Sequence, residues 1–158
     1  MTDKISYTCG FRPSKSSVIG QLMPFAHITG NRLGLFDTFD DDDVMNIFKD
    51  IGKFSAKVIE HGKWRDIFML HFELDDAIIN KIAQLDVYAK PDEFTGFIYK
   101  WKPSASDIDQ PRLAHISVGK SNDIFTKVPI GTVIEFTEAF IKKEGPHDPE
   151  IKHVVRFE

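Results

Sequence analysis

Two stretches decide how this chain reads: "PFAHITG" at residues 24–30 and "RLAHISVG" at residues 112–119. Each runs Ala, His, Ile and then a hydroxyl residue, and the two histidines stand 88 positions apart. Both stretches are short and alternate in polarity, which predicts a strand under each, the first over 25–29. Side chains i and i+2 of a strand point to the same face, so His27 projects with Thr29 and His115 with Ser117. The other faces, Ala26 with Ile28 and Ala114 with Ile116 and Val118, are apolar and suited to a core. Two such strands facing one another would make a cleft holding two imidazoles and two hydroxyls.

That set of groups has a definite chemistry. An imidazole titrates near ~6.5, so at neutral pH one of a pair can accept a proton while the other gives one. Cleavage of a phosphodiester needs both, a base for the attacking oxygen and an acid for the leaving one. The hydroxyls are suited to the non-bridging oxygens, where charge gathers in the transition state. No metal is required, and none is expected. The sequence has no H-E-x-x-H and no Cys/His pair of zinc spacing, so the expected cofactor set is empty.

The rest of the chain surrounds these strands with a mixed pattern. "KISYTCGF" (4–11) has strand composition. From Asp43 to Phe54, Val44, Ile47, Phe48, Ile51 and Phe54 recur at helical spacing, behind an Asp run at 40–43 that would cap the helix and oppose its dipole. "SAKVIEHGKW" and "DIFMLHFEL" read as two strands around a turn near Gly62, with Phe68, Leu70, Phe72 and Leu74 on one face. "DDAIINKIAQLDVY" (75–88) predicts a second helix. "FTGFIYKWK" (94–102), "TVIEFTEAFI" (132–141) and "IKHVVRFE" (151–158) read as further strands. The polar stretches 37–43, 102–111 and 142–150 read as loops. Helices interleave with antiparallel-looking strands, which gives an α+β fold.

Bulk properties bound the function. At 158 residues the chain is expected to form one domain, 1–158, with a core that needs no staples. Its net charge of −4 advertises neither duplex DNA nor anionic lipid as a partner. A small nucleotide or a short RNA end remains compatible, because a local site needs only a few Lys or Arg. The single cysteine, Cys9, excludes an intrachain disulfide framework. The opening "MTDKISYTCG" reads as neither signal peptide nor presequence, and no apolar run is long enough to span a membrane. The expected location is the cytoplasm, and the expected state a monomer.

The paired motifs and the order of elements resemble the two-histidine (2H) phosphoesterases, a superfamily that includes bacterial RNA ligase-type proteins and cyclic phosphodiesterases. Their signature is two His-x-Thr/Ser motifs on strands of two pseudo-symmetric lobes; here they are "HIT" at 27–29 and "HIS" at 115–117. Between the motifs the family runs helix, two strands, helix, as do 43–54, 55–74 and 75–88. The resemblance covers nearly the whole chain. It implies a bilobal α+β fold of two antiparallel sheet lobes with flanking helices and a central cleft. His27 and His115 would be the acid and base, and Thr29 and Ser117 the phosphate ligands. Substrates would be 2′,3′-cyclic phosphates, 2′-5′-linked oligonucleotides such as 2′-5′ oligoadenylate, or cyclic (oligo)nucleotides. Viral and phage members degrade such signals to blunt host defence, a role that would place this chain in a host cytoplasm. The chain departs from the family pattern in three places. Gly30 stands where an apolar residue is usual, Ser117 replaces the commoner Thr, and the arm before His27 leaves little room for a first helix.

Two further residues are candidates for substrate contact. Lys120 follows the second motif and could reach a phosphate, against the plainer reading of a solvated lysine. Trp101 shares a strand face with Phe97 and Tyr99 and could stack on a base, although an aromatic stripe is more often core. "VGKS" (118–121) imitates the end of a P-loop, but Ala114 stands where that loop needs glycine. The Asp run lacks the glycine and closing glutamate of a calcium loop. His61, His71, His147 and His153 have no hydroxyl partner two residues on and read as turn, strand or surface residues. Two other functions fit the same fold: a module that sequesters a nucleotide without cutting it, and an interaction domain whose motifs are core strands. A sequestering module has no need of two imidazoles, so the phosphodiesterase reading is preferred.

Overall fold

The computed structural model describes residues 6–35, 41–92, 95–102, 109–111, 113–143 and 150–157. β1 (Ser6–Pro13) leads through a one-turn α1 (Val18–Leu22) into β2 (Ile28–Leu35). α2 (Asp41–Ile51) precedes the hairpin of β3 (Phe54–Trp64) and β4 (Ile67–Glu73). α3 (Asp76–Ile82) continues as a 3-10 segment, Ala83–Tyr88. β5 (Ile98–Lys100) pairs in parallel with β6 (Asp109–Pro111). β7 (His115–Gly119), α4 (Ile124–Lys127), β8 (Val133–Lys143) and β9 (Glu150–Arg156) follow. Among the described residues, no helix is long and apolar enough to cross a membrane.

The long strand β8 divides the main sheet into two lobes. Along one edge it pairs with β1 from Phe136 to Lys143. Along the other it pairs first with β3, over Val133 to Phe136, and then with β9, from Glu138 onward. One lobe therefore runs β2-β1-β8-β9 and the other β8-β3-β4-β7. The division falls at Thr137. The β1–β8 register slips there, with Arg12 opposite Glu138 but Pro13 opposite Phe136. A bulge of one residue flips every later side chain to the other face. Ile134 and Phe136 face the core before it, and Ala139 and Ile141 face the core after it. Each lobe ends on a strand that carries one of the paired motifs, so the α+β, bilobal architecture holds.

Among the described residues, the core lies between the sheet and the helices. Val44, Phe48 and Ile51 of α2 are buried, and Phe48 meets the edge of Phe11 on β1, which also packs on Phe54. α2 ends earlier than the apolar spacing predicts, because Gly52 takes φ +64° and its N–H returns to Phe48 O at 3.0 Å. Phe54 then opens β3.

Other boundaries also differ from expectation. The β3–β4 turn lies at Arg65–Asp66, not near Gly62, which is inside β3 opposite Met69. The first motif becomes a strand only from Ile28. Of the stretch 94–102, only Ile98–Lys100 is a strand. In the polar stretches, residues 41–43 belong to α2, 109–111 form β6, 142–143 extend β8 and Glu150 opens β9. Residues 36–40, 103–108 and 144–149, among them Asp40 and His147, lie outside the described residues.

Candidate active site

His27, Thr29, His115 and Ser117 line one cavity of about 350 Å³, walled also by Met23, Pro24, Phe25 and Ala26. The motif strands β2 and β7 are the free-running ends of the two lobes and come into contact there. Ala26, Ile28, Ala114 and Ile116 are buried behind them. Alternation therefore does here what the sequence predicts, burying the apolar residues and turning the His and hydroxyl residues to the cleft.

Both imidazoles are held in the same way. His27 Nδ1 lies 3.3 Å from Phe25 O, and His115 Nδ1 lies 2.9 Å from Leu113 O. A carbonyl only accepts, so Nδ1 carries the hydrogen in each ring. The lone pair of the neutral ring, or the second proton of the charged one, is then on Nε2.

Close packing sets the position of the first motif. Phe140 meets the His27 ring edge-on at 5.2 Å. Gly10 makes this possible, since a Cβ there would press on Ile28 O and on the Phe140 ring, at 2.6 and 3.0 Å. A Cβ at Gly30 would sit 3.1 Å from Phe11 and 3.2 Å from Cys9 Sγ, so those side chains already fill the space that a side chain at position 30 would take. The outer edge of β2 is covered by the segment that follows the 3-10 turn. Trp101 Nε1 donates to Gly30 O at 2.5 Å. Asp86 gathers Asn31 Nδ2, Trp101 N and Lys102 N within 3.0–3.1 Å. The short arm before the motif still holds a helical turn, capped by Ser17, whose Oγ accepts from Gly20 N.

Trp101 is therefore a clamp on the motif strand. It is buried, at 6% exposure, and is not among the described residues that line the cavity of the two motifs. Lys120 is not among them either. It follows Gly119, which turns the chain at φ +98°, and its Nζ lies 3.5 Å from Asp66 at the exposed hairpin turn.

A third imidazole stands beside the motifs. His71 on β4 is opposite His115 on β7, with ring centroids 6.1 Å apart. Its seat is made by Gly62, where a Cβ would collide with His71 Nε2. The signal for it lies in "IFMLHFEL": if Leu70 and Phe72 face the core, Met69 and His71 face the other way, the same side as the second motif. His61 has a different fate, with Nε2 2.7 Å from Val128 O and its ring stacked on Phe125.

A second, larger cavity of about 980 Å³ adjoins the first and shares His27, Thr29 and His115 with it. Arg32, Lys63, Arg65 and Lys142 line it together with His71. Among the described residues that line it, Asp92 is the one carboxylate, and it lies 3.1 Å from Arg32. The net charge of the chain is negative, yet the described lining of this cleft is cationic. Among the described residues no three His, Cys, Asp or Glu gather as metal ligands would.

No family model matches the chain, and no curated protein matches it by sequence. Solved structures do match it by fold. A crystal structure of a phosphoesterase superposes with a TM-score of 0.53 at 11% identity, over 98% of this chain and 99% of that one. Escherichia coli LigT complexed with 3′-AMP gives a TM-score of 0.51 at 12% identity, over 98% of this chain and 99% of that one. LigT in its apo form gives 0.50 at 11% identity, over 99% of each chain. Likeness at such identities is likeness of fold, and it extends over both lobes and the cleft between them. The chain shares its fold, over nearly its whole length, with a phosphoesterase and with E. coli LigT.

Proposed function

We propose that this protein is a phosphodiesterase that cleaves a nucleotide phosphodiester by acid–base catalysis between His27 and His115, without a metal ion. The observation that carries the reading is the convergence of two His–hydroxyl pairs on one small cavity, with each Nδ1 tied to a main-chain carbonyl. The cationic lining of the adjoining cavity supports an anionic substrate. The 3′-AMP bound by LigT, a protein of the same fold, supports a nucleotide.

In this mechanism the scissile phosphate sits between the two imidazoles. A water, or a neighbouring ribose hydroxyl, gives its proton to the neutral Nε2 of one histidine and forms a bond to phosphorus. As the opposite P–O bond breaks, the leaving oxygen takes the Nε2 proton of the other, charged histidine. The two rings end with their protonation exchanged. Thr29 and Ser117 donate hydrogen bonds to the non-bridging oxygens, which carry more charge in the transition state than before it. Because the Nδ1–H contacts are internal to each motif, neither ring needs to reorient to trade its proton. The candidate substrates are 2′,3′-cyclic phosphates, 2′-5′-linked oligonucleotides and cyclic oligonucleotides.

The test is to incubate the purified protein with cyclic nucleotides, 2′-5′ oligoadenylate and RNA ending in a 2′,3′-cyclic phosphate, and to identify products by mass. Turnover of one class is expected. Tight one-to-one capture with no product would instead make the protein a sequestering module.

A further inference from the structure

The β3–β4 hairpin extends well past the motif cavity, and its tip is unusual. From the His71–His115 pair to the Trp64–Ile67 pair β4 runs four residues, about 13 Å. At that end stand Lys63, Trp64 and Arg65, all lining the larger cavity. Trp64 is 61% exposed, a large apolar surface that neither the core nor the sheet uses. The Arg65 guanidinium lies 4.6 Å from the Trp64 ring centroid. Arg65 also takes φ +55°, a left-handed conformation uncommon outside glycine, asparagine and aspartate. The turn thus presents an exposed aromatic ring with one guanidinium against it. The neighbouring Lys63, whose Nζ lies 5.0 Å from the Phe68 ring centroid, is on the wall of the same cavity, which also contains both motif histidines.

Aromatic planes beside cations are how proteins hold single-stranded nucleic acid, because every base has a face to stack and every linkage a charge. The cavity volumes favour more than one nucleotide. The motif cavity, about 350 Å³, is near the small end of the range for ligand pockets, and its neighbour, about 980 Å³, is near the large end.

We propose that the hairpin tip is a second nucleotide subsite. Trp64 stacks the base of the nucleotide next to the one whose phosphate lies between His27 and His115, and Lys63 and Arg65 hold its phosphate. The subsite rests on the phosphodiesterase reading of the cleft, and it narrows the substrate to an oligonucleotide of two or more units.

The chain has two tryptophans, and only Trp64 is exposed, so its emission reports on the subsite directly. The full chain is titrated with 3′-AMP and with triadenylates, 2′-5′- and 3′-5′-linked, whose phosphorothioate linkages resist cleavage. A triadenylate is expected to quench the emission saturably, at a concentration at least about tenfold below that needed for 3′-AMP. In Trp64→Phe, which retains an aromatic ring, the quench should vanish while calorimetry still detects binding. In Trp64→Ala the triadenylate affinity should fall about 5- to 100-fold relative to that of 3′-AMP, the usual worth of one stacked base. Lys63→Ala should flatten the log–log salt dependence of triadenylate binding by about 0.7, the share of one phosphate contact on a single strand. Equal affinity for 3′-AMP and both triadenylates, absence of binding, or a Trp64→Ala variant that binds a triadenylate as the parent does would each overturn the subsite. Because binding is read without turnover, a quench with no cleavage of any substrate would remove the phosphodiesterase reading and leave the subsite standing.

Discussion

His115 holds its Nδ1 2.9 Å from the carbonyl oxygen of Leu113, two residues before it, and His27 repeats the contact with Phe25 at 3.3 Å. The recurrence comes from the motif's own main chain. A histidine that steadies itself on the carbonyl at i−2 can be placed on any edge strand and still offer Nε2 to a ligand. Two edge strands brought together then place two such imidazoles on one cavity.

The pairing of the two rings fixes the kinetic expectation. His27→Ala or His115→Ala should each lower the rate about 10²- to 10⁴-fold, the usual worth of a positioned acid or base. The double variant should lose far less than the product of the two, because they act as a unit. Thr29→Ala and Ser117→Ala should be milder, each removing one hydrogen bond to developing charge. The rate should fall at acid pH, where the base is protonated, and at alkaline pH, where the acid has lost its proton. The resulting bell reports macroscopic values of the pair. A single His variant with near-normal turnover on the true substrate would sink the mechanism.

The chelation experiment tests the same chemistry from another side. Proton transfer by two imidazoles asks nothing of a divalent ion, so the rate in excess EDTA should match that in buffer alone. Activity lost on chelation and recovered with a divalent ion would show that the histidines serve a different purpose.

Much of this was legible from residue order, because a strand's period of two converts position into face. "HIT" and "HIS" reveal which side chains share a side, and the buried Ala26, Ile28, Ala114 and Ile116 follow from the same count. Other features are hidden because they depend on contacts distant in sequence. Gly62 carries the mark of a turn, yet it is a strand residue whose missing side chain leaves space for His71. The true turn uses Arg65 at φ +55°, which no residue preference announces. Trp101 ends an alternating aromatic run, and only the three-dimensional partner, Gly30 O, shows that its polar edge is spent inside the protein. The branching of the sheet at Thr137 is likewise invisible, since a bulge is a property of two strands.

The clamp role of Trp101 gives a prediction about stability. Trp101→Phe retains most of the buried ring but removes the donor to Gly30 O. An unsatisfied carbonyl behind the first motif should cost about 1–3 kcal/mol, read from denaturant or thermal unfolding. If Trp101 instead met the substrate, the variant would raise KM with unfolding unchanged.

The Gly62–His71 pair gives the last prediction, and it separates a structural glycine from a flexible one. A methyl at position 62 would occupy the place of His71 Nε2, so Gly62→Ala must either push the imidazole toward His115, 6.1 Å away, or displace β3. Overpacking of this kind costs about 1–3 kcal/mol. If the imidazole is the obstacle, His71→Ala in the same chain should remove most of that cost, so the two changes together should destabilise less than their sum. Were Gly62 needed for backbone freedom, the double variant would be no more stable than additivity allows. Turnover adds a second readout. Gly62→Ala should lower the rate by crowding His115, and the double variant should recover the part of that loss caused by the displaced ring. Additive unfolding energies together with an unrecovered rate would show that His71 and Gly62 are neighbours without a shared task.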